Sequence, residues 1–106
     1  MGKYLFQGSY SLEGARGLQR EGGTRRRHVV EALLKSLGGH LECFYYGFGE
    51  TDLYMIADLP DNVAAASASL IVAASGAGHW RTTPLFTAEE MDAAARSAGQ
   101  YRAPGI

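Results

Sequence analysis

Five arginines close together in sequence have the clearest chemical capacity in this chain. They are half of its ten lysines and arginines: Arg16, Arg20, Arg25, Arg26 and Arg27. Glu21 is the only acid among them, so residues 16–27 carry +4 and the remainder −5, within a net charge of −1. Gly22–Thr24 precedes the last three arginines at a predicted helix start, where free N–H groups and partial positive charge favour anions.

Two interpretations of this basic segment remain open. One is a site for a phosphate or carboxylate, with Arg16 and Arg25 as candidate ligand-binding residues, in which a small anionic ligand removes the conflict between arginines and the helix dipole. The other is a solvated basic turn in which Arg27 pairs with Glu31. The segment is not a P-loop, because no Gly-Lys-Ser/Thr follows the glycines.

A second group of polar and aromatic residues is spread over the predicted strands. If these side chains converge between the sheet and a partner subunit, they would line a pocket for a small organic molecule. The alternative is that they face water at edges and rims. The candidate ligand-binding residues of this group are Tyr10, Tyr45, Asp52, Tyr54, His79 and Arg81.

Metal and thiol chemistry are weakly supported. His28, His40 and His79 lie in separate elements and form no ligand motif, so no metal site is expected. The cofactor, if there is one, is unknown. Cys43 is the only cysteine, which excludes an internal disulfide and favours a reducing, cytoplasmic location. Its place in the middle of a predicted strand is typical of a small core residue.

Length and charge exclude several classes of protein. A chain of 106 residues fits one domain. A net charge of −1 provides no overall field for nucleic acid or an anionic membrane, so neither partner is expected. Residues 1–6 lack the apolar core of a signal peptide, and no apolar run is long enough to span a bilayer.

The order of predicted elements is βαββαβ followed by a helix. A long loop is predicted for Ser11–Gly23, because it contains four glycines. Thr24 is the predicted N-cap of the first helix, whose apolar stripe ends before Gly38-Gly39. The capping box Thr87–Glu90 opens the last helix, which is predicted to reach Ala98. The remaining elements are strands at 3–10, 40–48, 52–59 and 79–86 and a helix at 63–75, with a tail at 100–106.

This order predicts an α+β fold: a ferredoxin-like plait whose four-stranded antiparallel sheet has two helices on one face. Ten of the eleven aromatic residues fall in predicted strands, and the neighbours Tyr45 and Tyr46 must point to opposite faces. Aromatic side chains therefore project from both faces, although two helices cover only one. We expect a second copy to cover the other, giving a homodimer or a larger homo-oligomer.

Several short segments together resemble the GYD domain family. They are Tyr10–Gly17, Gly22–Thr24, Gly38-Gly39, Phe44–Tyr46, Phe48–Asp52, Leu59–Asn62 and Thr82–Leu85. The resemblance covers about the first 95 residues and implies a ferredoxin-like plait of the dimeric α/β barrel type. It supports a GYD-type domain at 1–99 and implies no activity. Where the motif that names the family has tyrosine, this chain has Thr51, which removes any role for a phenol at that turn.

Three functions remain open at this stage. The first is an oligomeric domain that binds a small molecule or anion without chemistry of its own. The second is a cofactor-free or haem-type enzyme, an oxygenase or isomerase by analogy with the barrel type, for which Asp52, Tyr54, His79 and Arg81 are the only candidates. The third is RNA binding on an aromatic sheet, which the acidic third strand disfavours.

Overall fold

The computed structural model describes all residues 1–106 and contains four strands and four helices. In chain order they are β1 (Gly2–Tyr10), α1 (Leu12–Glu21), α2 (Gly23–Ser36), β2 (His40–Tyr46), β3 (Leu53–Leu59), α3 (Asn62–Ala74), β4 (Gly78–Leu85) and α4 (Ala88–Arg96). The strands form one sheet in the order β2-β3-β1-β4, and every neighbouring pair is antiparallel. The predicted α+β fold with a ferredoxin-like plait is confirmed.

The loop predicted for residues 11–23 is wrong, because most of it is helix α1. The Ser11 hydroxyl caps this helix by accepting a hydrogen bond from Gly14 N at 3.0 Å. Glycine at position 14 allows α1 to approach the loop before β4, since a Cβ there would lie within 1.8 Å of Ala77 O. This contact stabilises a helix whose glycines disfavour helix formation by themselves.

The prediction that Thr24 caps the second helix is also wrong. Gly22, with a φ of 84°, ends α1 and serves as the N-cap of α2 without a side-chain hydrogen bond. Thr24 therefore lies inside the first turn of α2. At its other end α2 stops before Gly38, whose φ of 86° suits glycine and few other residues.

The hairpin between β2 and β3 is longer than predicted. β2 ends at Tyr46 instead of Phe48, and Phe48 adopts a φ of 106° in the loop. The register shifts between Leu41 and Cys43, which indicates a β-bulge. Phe44 packs against the core, so the adjacent Cys43 points away from it, and the prediction of Cys43 as a core residue is wrong.

Helices α2 and α3 cover one face of the sheet, with α2 over β2 and α3 over β4. Phe6, Met55 and Leu59 from the strands, together with Leu34 from α2, are at most 1% exposed and form the centre of the core. On α3 the buried residues are alanines, whose small side chains let that helix lie close to the sheet.

We call the other side of the sheet the helix-free face. The strand register arranges its side chains in rows that cross all four strands. The middle row is Cys43, Ile56, Leu5 and Thr83, the next is Tyr45, Tyr54, Gln7 and Arg81, and the row on the other side contains His40, Asp58, Lys3 and Leu85. As predicted, aromatic rings project from both faces, but only Tyr45 and Tyr54 do so on this one.

The last 21 residues project from the rest of the chain, and we call residues 86–106 the C-terminal arm. Every residue of the arm is exposed, although α4 has the predicted capping box between Thr87 and Glu90. The radius of gyration is 16.8 Å, against about 13 Å for a compact domain of this length. The helix at the centre of the arm is therefore stabilised by local contacts rather than by the core.

Candidate functional site

A cavity of about 240 Å³ lies between α2, α3 and the sheet. Its floor is Gly8 and Trp80, and its side walls include Val29 and Leu33 from α2 and Ile71 from α3. Val29 and Ile71 are 45% and 48% exposed, so apolar side chains face one another across an open gap. Nine of the fourteen residues that line this cavity are hydrophobic.

The floor depends on the close approach of glycine to an indole ring. A Cβ on Gly8 would lie 2.8 Å from Trp80 Cδ1. The absence of a side chain at this position lets the ring of Trp80 lie close to β1, where it also packs against Phe6 with ring centroids 5.2 Å apart. Trp80 is the only tryptophan of the chain, so its fluorescence reports on this cavity alone.

Two neighbouring tyrosines lie at one end of the cavity. Tyr10 lines the cavity, and the hydroxyl of its neighbour Tyr46 donates to the carbonyl of Gly23 at 2.9 Å. Burial, and then the neighbouring Tyr46, raise the pKa of Tyr10 to about 12, and burial also raises the pKa of Tyr46. Both phenols are therefore neutral near pH 7.

Arg26 is the only charged residue in the wall of the cavity. Its side chain is 27% exposed and contacts Glu21 at 3.4 Å, the only ion pair it forms. Arg26 and Tyr10 also line a shallower polar pocket outside the cavity, together with Glu13 and Arg20. The arginine therefore stands at the boundary between an apolar interior and a polar mouth.

The helix-free face brings together four of the residues predicted as a site. Tyr45 and Tyr54 are cross-strand neighbours, and Arg81 lies two strands away in the same row, with His79 beyond it on β4. Arg81 Nη2 donates to the Oγ1 of Thr51 at 2.9 Å, and Thr51 is the one polar residue buried in this structure, at 3% exposure. These side chains form a surface rather than an enclosed pocket.

A cluster of charges occupies one end of the same face. Lys3 Nζ lies 3.1 Å from both Glu42 Oε2 and Asp58 Oδ1, and His40 Nε2 is 3.0 Å from Asp58 Oδ2. The hydrogen bonds that Lys3 donates to Glu42 and to Asp58 raise its pKa. These contacts hold the ends of β1, β2 and β3 in register.

Of the four remaining predicted residues, Tyr10 and Asp52 are in contact and the two arginines lie elsewhere. Tyr10 is the only one of the eight in the cavity. The carboxylate of Asp52 accepts a hydrogen bond from the backbone N–H of Tyr10 at 2.9 Å. Arg16 on α1 and Arg25 on α2 are exposed and line neither pocket, and the predicted pair of Arg27 with Glu31 forms at 3.8 Å.

Sequence reasoning missed Arg26 and Trp80, which line the cavity, and Tyr46, which lies beside Tyr10 outside the lining. A signal existed for Arg26, because Val29, Val30 and Leu33 follow it at i+3, i+4 and i+7 and continue the same helix face. Alternation also required either Tyr45 or Tyr46 to face the helices. No sequence signal indicates that α2 and α3 leave a gap between them.

The cavity wall provides hydroxyl groups and one guanidinium as its polar side chains. No carboxylate, imidazole or thiol lines it, and its hydroxyl groups belong to Tyr10, Ser9 and Ser75. The Ser75 hydroxyl donates to Val72 O at 2.6 Å. A haem does not fit these residues, because no histidine, cysteine or methionine faces the cavity and its volume is below the roughly 300–1,000 Å³ of sites for drug-sized ligands. No group of three or more potential metal ligands occurs in the structure.

The family model of the GYD domain matches residues 4–95 of the 106. The chain belongs to the GYD domain family. The match includes every residue that lines the cavity of this GYD domain, and all four strands except the first two residues of β1. Comparison with curated proteins and with solved structures gives no match. None of the four helices has the length and apolar character needed to cross a bilayer.

Proposed function

We propose that this GYD domain protein binds a small, largely apolar organic molecule in the cavity between α2, α3 and the sheet. The observation that carries the proposal is the pair of apolar walls, Val29 and Ile71, left half-exposed on either side of a gap. Burying apolar surface is worth about 25 cal/mol per Å², so a ligand that fills this gap gains binding energy from both walls. The volume favours a ligand smaller than a typical drug.

Binding is favoured over catalysis because of what lines the cavity. A general base must reach the proton that it removes, and Tyr10, with its pKa raised to about 12, is a poor base at neutral pH. Of the residues predicted as catalytic, Tyr54, His79 and Arg81 lie on the helix-free face, and Asp52 is bonded to backbone. RNA binding is disfavoured because Lys3 on that face is paired with two carboxylates.

We also propose that the protein is a homodimer whose helix-free faces pack together. Leu5 and Ile56 form the middle of that face, and Tyr45 and Tyr54 stand beside them at 70% and 41% exposure. A standard interface of roughly 1,600 Å² in total would cover these side chains. The charged cluster around Lys3 lies at one end of the face, where it fits the polar rim of such an interface.

Binding is tested through the fluorescence of Trp80 and through native mass spectrometry of the freshly purified protein. Sodium octanoate, phenylacetate and their neutral alcohols are titrated into the protein. A saturable change in emission with one site per chain supports the proposal. If no probe alters the emission or the thermal midpoint, and no ligand is retained, the proposal is wrong.

The dimer is tested by sedimentation equilibrium at micromolar concentration. Ile56→Lys places a charge in the middle of the helix-free face, and Val63→Lys places one on α3, where Val63 is 73% exposed. We expect the wild type and Val63→Lys to sediment as dimers and Ile56→Lys as a monomer. A monomeric wild type would contradict this interface, although it would leave the cavity proposal intact.

A further inference from the structure

We infer that the ligand of the cavity is a small amphipathic anion, a carboxylic acid with an apolar body, whose carboxylate is held by Arg26. This inference rests on the proposed function and names the class of its ligand. It depends on Arg26, the one charged residue in a mostly apolar wall, and on the single, long ion pair that this arginine forms inside the protein.

Arg26 uses little of its hydrogen-bonding capacity within the protein. A guanidinium has five N–H donors in a planar fork that matches a carboxylate. The only ionic contact of Arg26 is a single bond of 3.4 Å to Glu21, whose side chain is 36% exposed. Water reaches both side chains of this ion pair, so the pair adds little stability and a ligand carboxylate would displace Glu21 at little cost.

The other polar groups at this end of the cavity are neutral. Tyr10 and Tyr46 remain protonated because burial raises the pKa of both, and the Tyr46 hydroxyl donates to the Gly23 carbonyl. The first turn of α2 contains no acid. The wall of the cavity therefore carries one positive charge, that of Arg26, and no negative charge, while Glu13 and Glu21 lie outside it in the polar pocket.

The positions of Arg26 and of the apolar side chains determine the direction in which a ligand would lie. Arg26 is at the boundary with the polar mouth, whereas Leu33, Val72 and Trp80 surround the interior. A carboxylate at Arg26 leaves the apolar body pointing toward Trp80. A cation in the same place would meet a like charge, and an alcohol offers the guanidinium one neutral oxygen in place of the two oxygens and negative charge of a carboxylate.

The test compares molecules that share a body and differ in charge. Octanoate, octan-1-ol and octylamine, and then phenylacetate, 2-phenylethanol and phenethylamine, are titrated while Trp80 emission is recorded, with calorimetry as a second readout. We expect each acid to bind at least about tenfold more tightly than its alcohol, as charge-assisted hydrogen bonds predict. The amines should bind more weakly than the alcohols.

Arg26→Gln should abolish the preference for acids, and Arg26→Lys should retain part of it. Arg25→Gln is the matched control, because Arg25 is the neighbouring arginine, is exposed and lines neither pocket. We expect this control to bind octanoate as the wild type does. Circular dichroism checks that each variant folds. The comparison of acid, alcohol and amine binding uses the wild type alone, so it does not depend on the folding of any variant.

The outcomes separate the inference from the proposed function. Alcohols that bind as tightly as the acids would overturn the carboxylate assignment and leave a neutral-ligand cavity. Loss of binding in Arg25→Gln but not in Arg26→Gln would overturn the role of Arg26. If no probe of any charge binds, the proposed function fails along with the inference.

Discussion

The phenol of Tyr10 should make the stability of this protein fall at alkaline pH. In the folded chain its pKa is raised from 10.0 to about 12, chiefly by burial and then by Tyr46. The unfolded chain loses this proton near pH 10, whereas the folded chain retains it until about pH 12. The stability that the Tyr10 proton contributes is therefore fully present below about pH 10 and is lost as the pH rises from about 10 to about 12.

The magnitude follows from the size of the shift. Each pKa unit corresponds to about 1.4 kcal/mol, but the ring of Tyr10 is only half-buried and solvent screens part of the effect. We therefore expect about 1 to 1.5 kcal/mol of unfolding free energy to disappear between about pH 10 and pH 12 on account of this group.

Urea unfolding from about pH 8 to pH 11.5 measures this effect when wild type and Tyr10→Phe are compared. Because the variant has no phenol to titrate, it lacks this loss, so the wild type should lose stability relative to Tyr10→Phe as the pH rises. Tyr101→Phe is the control, since Tyr101 is 85% exposed. Parallel curves for wild type and Tyr10→Phe would refute the reasoning.

Three further predictions concern the fold. Gly14→Ala should destabilise the protein by about 2 kcal/mol or more, because a Cβ there meets the backbone of the loop before β4. A Cβ at Gly17 has nothing within 4 Å, so Gly17→Ala should stabilise the protein by about 0.5 to 1 kcal/mol. Urea midpoints of the two variants measure both changes. Leu34→Ala, at 0% exposure, should cost about 2 to 5 kcal/mol and Leu70→Ala, at 69%, under about 1, and equal losses would contradict the described core. Thr87→Ala should reduce helical circular dichroism without moving the main unfolding transition, and a shift of that transition would show that α4 packs on the core.

Most of the fold followed from local patterns in the sequence. Hydrophobic periodicity and capping residues predicted four strands and three helices close to their observed positions. The helix α1 was not predicted, because its glycines lower intrinsic helix propensity. The contact that stabilises it, between Gly14 and Ala77, joins residues more than sixty positions apart in sequence. Propensity does not report such contacts, so the segment resembled a loop.

The candidate site was less predictable than the fold. Tyr10 was predicted as a ligand-binding residue, but the predicted pocket was placed between the sheet and a partner rather than under the helices. The cavity arises from the way α2 and α3 lie apart at one end of the sheet, a tertiary feature with no sequence signature. The same limit explains why Arg25 was chosen over Arg26, since only helix phase distinguishes these neighbours.

Intermolecular nuclear Overhauser effects between octanoate and the protein would test the central claim most directly. The methyl groups of Val29, Leu33 and Ile71 line the cavity, whereas those of Leu5 and Ile56 lie on the helix-free face. We expect contacts from the ligand chain to Val29, Leu33 and Ile71 and none to Leu5 or Ile56. Contacts confined to Leu5 and Ile56 would contradict the proposed cavity site and place the ligand between the sheets.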